Sequence, residues 1–378
     1  VDLTNVTHRY VDDGTYVLTL TVSDEDGGSV TVQRTINIGG SAPTVDSLTG
    51  DQEGDEGSRF AFQARASQPG IEDITYTWNF GDGSPELSAV DLTDVSHVYA
   101  DDGRYTVQLT VTDPDGEASA ELIVTVINRA PTVTSITVPE TGVEGEALQF
   151  EAEATDPGGL SDPLTYSWDF GALELPGEGA SATHTYLVDG TYTVTLTVTD
   201  DEGAATTVAR QVVISNVRPT IVRLLGPDTA NEAQTVTFQA LATDPGNDTL
   251  TYTWNYGDGS DPQAGVDLTE VQHAFPDNGN YEVTVTVTDG GDTTNRSVNI
   301  SITNVPPTIT SLMGDTSGDE ATDFSYIAMA TDPGGIADPL TYTWNFGDDT
   351  PPVSGADLTE VTHRYGDAGS YTLTLTVT

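Results

Sequence analysis

Short runs of alternating apolar and polar residues, set apart by turn residues, fill the chain. In the run from Tyr76 to Phe80 the aromatics Tyr76, Trp78 and Phe80 fall at every second position, so all three face one side of a strand while Thr77 and Asn79 face the other. Tyr192, Val194, Leu196 and Val198 alternate in the same way with Thr193, Thr195, Thr197 and Thr199, and threonine suits the exposed side of a pleated sheet. Alternation of period two over many short segments predicts an all-β fold built of sandwiches, with the aromatics in the core.

The segments recur. Pro43, Pro131, Pro219 and Pro307 lie at intervals of 88 residues, and Trp78, Trp168, Trp254 and Trp344 follow at intervals of 90, 86 and 90. His8, His97, His184, His273 and His363 mark a third point in each unit. The spacing predicts the C-terminal part of one repeat at 1–40 and whole repeats at 41–128, 129–216 and 217–304, numbered 1 to 3 below. A fourth repeat at 305–378 lacks its last strand. The chain opens with DLTNVTHRY and nears its end with DLTEVTHRY, the same phase of the repeat, so the protein is expected to continue in both directions.

Turn chemistry fills in the unit. Gly81-Asp82-Gly83 recurs as Gly257-Asp258-Gly259 and as Gly347-Asp348-Asp349 after the tryptophan strand, a tight turn in which glycine supplies positive φ. Asp13-Gly14, Asp102-Gly103 and Asp189-Gly190 each precede a tyrosine (Tyr16, Tyr105 and Tyr192), where a sandwich sets its tyrosine corner.

Taken in order, WNFGDG or WDFG, then HxY, then DxGxYxVxLTVTD resemble the PKD domain, a seven-stranded immunoglobulin-like sandwich. The resemblance covers essentially the whole chain and implies tandem sandwiches of about 88 residues arranged end to end. It also implies an extracellular, cell-surface or secreted location, since such domains stand in microbial surface proteins and beside secreted proteases, collagenases and chitinases. Repeat 2 departs from the pattern with WDFGALELPGEG, so its loop after the tryptophan strand is expected to be reshaped.

Charge narrows the partners. Against 60 Asp and Glu stand 11 basic residues, all arginine, for a net charge of −49 that repels nucleic acid and anionic membranes. No apolar run has the length of a membrane span, so no direct membrane insertion is expected. With no cysteine there is no disulfide framework, and each small domain depends on packing or bound ions. So large a surplus of carboxylates calls for cations, either divalent metal or a salty medium.

In the implied topology the start of each domain, its second-to-third strand loop and its last hairpin share one pole. There repeat 2 offers Asn128, Asp156, Asp162 and Asp200, repeat 3 offers Asn216, Asp244, Asp248 and Asp289, and repeat 4 offers Asn304, Asp332 and Asp338. Carboxylate and amide oxygens on loops suit Ca2+, which takes six to eight oxygens in adaptable geometry, and some PKD-like domains of secreted collagenases bind calcium at that pole. The other reading is that each aspartate closes its own turn, DPGG being a turn signal anywhere. The charge surplus favours Ca2+. At the opposite pole Glu56, Glu144, Glu232 and Glu320 recur every 88 residues and are weaker metal candidates, with turn capping favoured for them. Before repeat 1, Gly40 stands where later linkers have asparagine and Gln68 replaces the DPGG aspartate, predicting a softer joint without metal. Rigid, metal-bridged joints are expected at 128–132, 216–220 and 304–308, where proline leaves the linker little slack.

No constellation points to catalysis. The histidines precede aromatic-bearing strands with no recurring nucleophile beside them, which suits a packed structural role. Asp24-Glu25-Asp26-Gly27 and Asp113-Pro114-Asp115-Gly116 resemble the start of an EF-hand loop without its twelfth-position glutamate. Sequons at Asn5, Asn247, Asn295 and Asn299 are about as many as chance gives. The expected role is a non-enzymatic structural segment of an extracellular stalk, adhesin or filament, because length in a repeat array is set by copy number. Its partners would be neighbouring repeats of the same chain, with further copies in a fibre, or surface glycans or proteins, beyond them. The alternative is a set of polysaccharide- or protein-binding accessory modules attached to a secreted hydrolase.

Overall fold

The computed structural model describes residues 4–172 and 175–378, and every regular element among them is a strand. The chain divides into two compact units. One comprises Val1–Glu140, Leu148–His184 and Tyr192–Val212; the other comprises Thr141–Ala147, Thr185–Thr191 and Val213–Thr378. The division runs through repeat 2.

In the first unit β1 (Gly14–Ser23) and β2 (Ser29–Ile38) form an antiparallel hairpin in register from Gly14 opposite Ile38 to Ser23 opposite Ser29. Repeat 1 follows with β3 (Thr44–Gly50), β4 (Glu53–Asp55), β5 (Arg59–Ser67), β6 (Thr75–Asn79), β7 (Leu87–Val90), β8 (Asp94–Val98), β9 (Gly103–Asp113) and β10 (Gly116–Ile127). One sheet has the order β3-β5-β8 and the other β4-β10-β9-β6-β7. The first strand therefore changes sheets: β3 pairs antiparallel with β5, and β4 runs parallel to β10. Gly50 sits at the crossing, where a Cβ would lie 2.4 Å from the Phe62 ring and 2.7 Å from the Ala61 carbonyl, so no larger residue fits without a shift.

The alternation read from sequence is the burial pattern observed. Tyr76, Trp78 and Phe80 are buried with Phe60, Phe62, Val107, Leu109, Val111 and Val124 in one core between the sheets. Each tryptophan indole finds an acceptor there: Trp78 donates to Leu92 O at 2.9 Å, Trp168 to Gly179 O at 3.0 Å, and Trp254 and Trp344 to Leu268 O and Leu358 O at 2.9 Å. The tyrosine corner is present as well, with Tyr105 Oη donating to Asp101 O at 3.0 Å and Tyr281 Oη to Asp277 O at 2.9 Å.

In the second unit, repeat 3 repeats the scheme around Trp254, Phe238, Val285 and Ile300. Repeat 4 keeps the tryptophan core of Tyr326, Trp344, Phe346 and Tyr365, and has no strand at the position of β10 within its residues. An open groove lined by Leu312, Phe324, Tyr326, Tyr371 and Leu373 lies there. In repeat 2 the counterpart of β7 shrinks to Gly177–Glu178, as its divergent loop foretells; Leu173 and Glu174 of that loop lie outside the described residues.

Candidate cation sites at the joints between repeats

The recurring histidines are accounted for by packing. His97 stacks on Phe80 at 4.1 Å and its Nε2 meets Asp82 Oδ2 at 2.6 Å. His273 does the same with Tyr256 and Asp258, and His363 with Phe346 and Asp348. Burial opposes ionisation of Asp82 and Asp258, yet hydrogen bonds from Ser84 and His97, or from Ser260 and His273, hold both below the usual carboxylate range. For Asp348 the hydrogen bond from Thr350, with His363 behind it, draws the group down to about 2. The Gly-Asp turn is thus a partner of the histidine as well as a turn. In repeat 2, Ala172 stands at the position of Asp82, and His184 keeps its stack on Phe170 at 4.3 Å.

The acids at the joints behave differently, because buried oxygens among them are left without a hydrogen-bond partner. At the joint between repeats 1 and 2, Asp156 Oδ1 accepts from Gly158 N at 2.9 Å and closes its turn, while Oδ2 is buried with no partner. Glu56, 2% exposed, accepts from Arg129 N at 2.6 Å with Oε1, while Oε2 has no partner. Asp162, 1% exposed, has no partner for either oxygen. Oxygens of Glu56, Asp156 and Asp162 lie within 4.8 Å of one another. Glu56 therefore does not cap its own turn: it clamps the linker 73 residues along the chain and turns its second oxygen toward the next repeat.

The second unit repeats this twice. Glu144 accepts from Val217 N at 2.6 Å and groups with Asp244 and Asp248, whose Oδ2 atoms are buried without partners. Asp244 Oδ1 closes its turn on Gly246 N at 2.9 Å. Glu232 accepts from Val305 N at 2.5 Å and faces Asp332 and Asp338, with Asp332 Oδ1 bound to Gly334 N at 2.8 Å. The glycine of the DPG turn is required by the joint: a Cβ at Gly246 would lie 2.6 Å from Glu144 Oε2 and 3.1 Å from Asp248 Oδ2.

Electrostatics follow from that crowding. Asp162 is pushed up to about 8, first by burial and then by Glu56 and Asp156. Burial also raises Glu56, Glu144 and Glu232, and the linker amides of Arg129, Val217 and Val305 oppose it; the facing aspartates add to it for Glu144 and Glu232, while at Glu56 Asp156 adds to it and Asp162 opposes it. A hydrogen bond between two carboxylates exists only while one holds a proton, so these groups either share protons or repel. Buried oxygens on mixed loops, unpaired and converging, are a donor set for a hard cation.

The remaining candidates are placed as follows. Asn128 donates to Asp200 Oδ2 at 3.2 Å and Asn216 to Asp289 Oδ2 at 3.1 Å, so these pairs satisfy each other, although Asn128 Oδ1 is buried and unpaired. Asp289 is held low in spite of burial by the amides of Asp292 and Gly291 and by Asn216. Asn304 and Glu320 are exposed. At the joint before repeat 1, where Gln68 replaces an aspartate, Asp12, Asp13 and Glu72 gather within 4.8 Å of one another. Glu72, four residues beyond Gln68, was the available signal.

Comparison with known proteins places this geometry in a family. The model of the PKD domain matches residues 40–127, 128–214, 216–303 and 304–378. The chain is 28% identical to human polycystin-1 over 98% of its length and 8% of that protein. It is 30% identical to chitinase A of Pseudoalteromonas piscicida over 46% of its length and 22% of that protein. Against the microbial collagenase of Vibrio alginolyticus it is 40% identical over 24% of its length and 11% of that protein. The chain thus spans less than a quarter of each of these relatives. Among solved structures, the PKD1 domain of Vibrio anguillarum Epp is 28% identical with a TM-score of 0.19, covering 24% of this chain and 98% of that one. With the family model matched four times in succession across nearly all its residues, the chain belongs to the PKD domain family, as a tandem array of immunoglobulin-like β-sandwiches.

Proposed function

We propose that this chain is a structural segment of an extracellular stalk, adhesin or filament, and that Ca2+ stiffens it at the joints between repeats. The observation that carries the reading is the divided carboxylate. At three successive joints a buried glutamate spends one oxygen on the linker amide and presents the other, unpaired, to aspartates of the following repeat. Without a cation such a joint gathers like charges in a poorly hydrated place and is pushed apart. With Ca2+ the same oxygens become ligands shared by two domains and the linker is fixed. Copies of one sandwich then act as a spacer whose stiffness follows the cation.

The test is a titration of the chelator-stripped full chain with Ca2+, followed by small-angle scattering and calorimetry. Extension and a higher melting temperature on adding Ca2+ are expected; no change in either removes the metal reading. The similarity to chitinase A and to a collagenase supports a second reading, in which the repeats are accessory modules of a secreted hydrolase. Its support stops there, because the four tryptophans are fully buried and supply no stacking platform for sugar rings. Binding to insoluble chitin or collagen fibres distinguishes the two.

A further inference from the structure

The joint between repeats 1 and 2 carries more acid than its counterparts, and the surplus is organised around one residue. Asp162 belongs to the group with Glu56 and Asp156 and also to a second group with Asp201 and Glu202, each drawn within 4.8 Å. Glu202 in turn groups with Asp101 and Asp102. Asp162 is 1% exposed and neither of its oxygens has a hydrogen-bond partner, so a nearly sealed carboxylate stands between two acid sets with both oxygens unused. In the next joint this second set is depleted in the sequence: Val188 stands at the position of Asp101, although Asp189 keeps that of Asp102, and Gly290 and Gly291 replace Asp201 and Glu202.

Resting on the calcium reading above, we infer that the joint between repeats 1 and 2 binds two divalent cations of the Ca2+ class that share Asp162. The inner ion is held with Glu56 and Asp156, the outer with Asp201 and Glu202. A bridging carboxylate is what two adjacent hard cations need, because each takes six to eight oxygens and a shared ligand offsets their mutual repulsion. One ion would leave the charges of Asp201, Glu202, Asp101 and Asp102 crowded beside it. The joint between repeats 2 and 3, with glycines in place of the outer acids, takes one ion.

Counting Ca2+ bound to the chelator-stripped full chain, by calorimetric titration and by elemental analysis after equilibrium dialysis, decides the matter. D201N/E202Q alters two exposed side chains and should bind one Ca2+ fewer per chain than the parent, while D162N should bind two fewer. Equal stoichiometry in parent and D201N/E202Q overturns the outer ion and leaves the single-ion joint standing. A D162N chain that loses only one ion overturns the shared ligand. A parent chain that binds no Ca2+ at all sinks the joint reading and this inference together.

Discussion

Glu144→Gln should move the stability of the joint between repeats 2 and 3 in opposite directions with and without Ca2+. The substitution keeps the size of a side chain that is 1% exposed and retains an oxygen for the Val217 amide. What it removes is a charge within 4.8 Å of Asp244 and Asp248. At an effective dielectric constant of about 20, one fully charged pair at that distance repels by about 3 kcal/mol. Protons shared among the three acids lower this figure, since burial and its neighbours already raise Glu144. Exchanging a charge-assisted hydrogen bond to Val217 for a neutral one costs about 1 kcal/mol. In chelator the balance favours the variant by about 1–2 kcal/mol, a rise of a few degrees in the calorimetric transition that includes the joint. In saturating Ca2+ the order reverses, because a carboxylate ligand has become an amide and the parent gains more from the ion. E320Q serves as the control, its carboxylate being exposed. Should E144Q melt lower than the parent by the same amount in both conditions, Glu144 is a linker clamp alone and the reasoning is refuted.

Other outcomes follow from single contacts. Gly246→Ala places a Cβ against the Glu144 and Asp248 oxygens and should cost one bound Ca2+ per chain, with the repeat cores intact by near-ultraviolet circular dichroism. Trp254→Phe loses the indole bond to Leu268 and leaves a void in a sealed core, destabilising repeat 3 by about 2–4 kcal/mol in urea unfolding. Asp258 and Asp348 are held below their ordinary value, so their contribution is present above about pH 4 and is lost as pH falls through their folded values, near 2 for Asp348. D258N should accordingly flatten the acid limb of repeat 3 unfolding while leaving the neutral plateau lower by about 1 kcal/mol.

The sequence made the sandwich legible because its signals are local. Tyr76, Trp78 and Phe80 announce their inward face within five residues, and Tyr105 finds its acceptor at Asp101, four residues away. The DPGG aspartates were readable in two ways, turn and metal, and the structure puts one oxygen of Asp156 to the first use while leaving the other unpaired. Glu56 was harder. Its partner is the Arg129 amide, a whole domain away in sequence, and a backbone N–H carries no residue-type signature, so a periodic glutamate beside a turn reads as a cap. The pairing of His97 with Asp82 spans 15 residues and joins a loop to a neighbouring sheet, a contact that depends on how two layers face each other. The acids before repeat 1 were missed for a related reason. Looking only at the position of Gln68 hides Glu72, which reaches the same space from one turn further on and meets Asp12 and Asp13 from the preceding repeat.

An acidic chain without lysine also suits high salt, and burial separates that explanation from calcium. Salt relieves repulsion between exposed charges by screening, and at molar ionic strength the screening length falls to about 3 Å. Most of the surplus of −49 lies where that mechanism works. Glu56, Glu144, Glu232 and Asp162, at 1–2% exposure, do not, because mobile ions cannot stand between groups that exclude solvent. Their repulsion is relieved only by a proton or by a cation that sheds water and takes the oxygens as ligands. Molar NaCl with chelator should therefore raise the melting of the repeats yet leave the joints as compliant as at low salt. Ca2+ at a thousandfold lower concentration should stiffen them, read by scattering or by energy transfer between cysteines introduced into this cysteine-free chain. If NaCl alone stiffens the joints as far as Ca2+ does, the buried acids are screened like surface groups, and the donor set at the joints has no special bearing on a divalent ion.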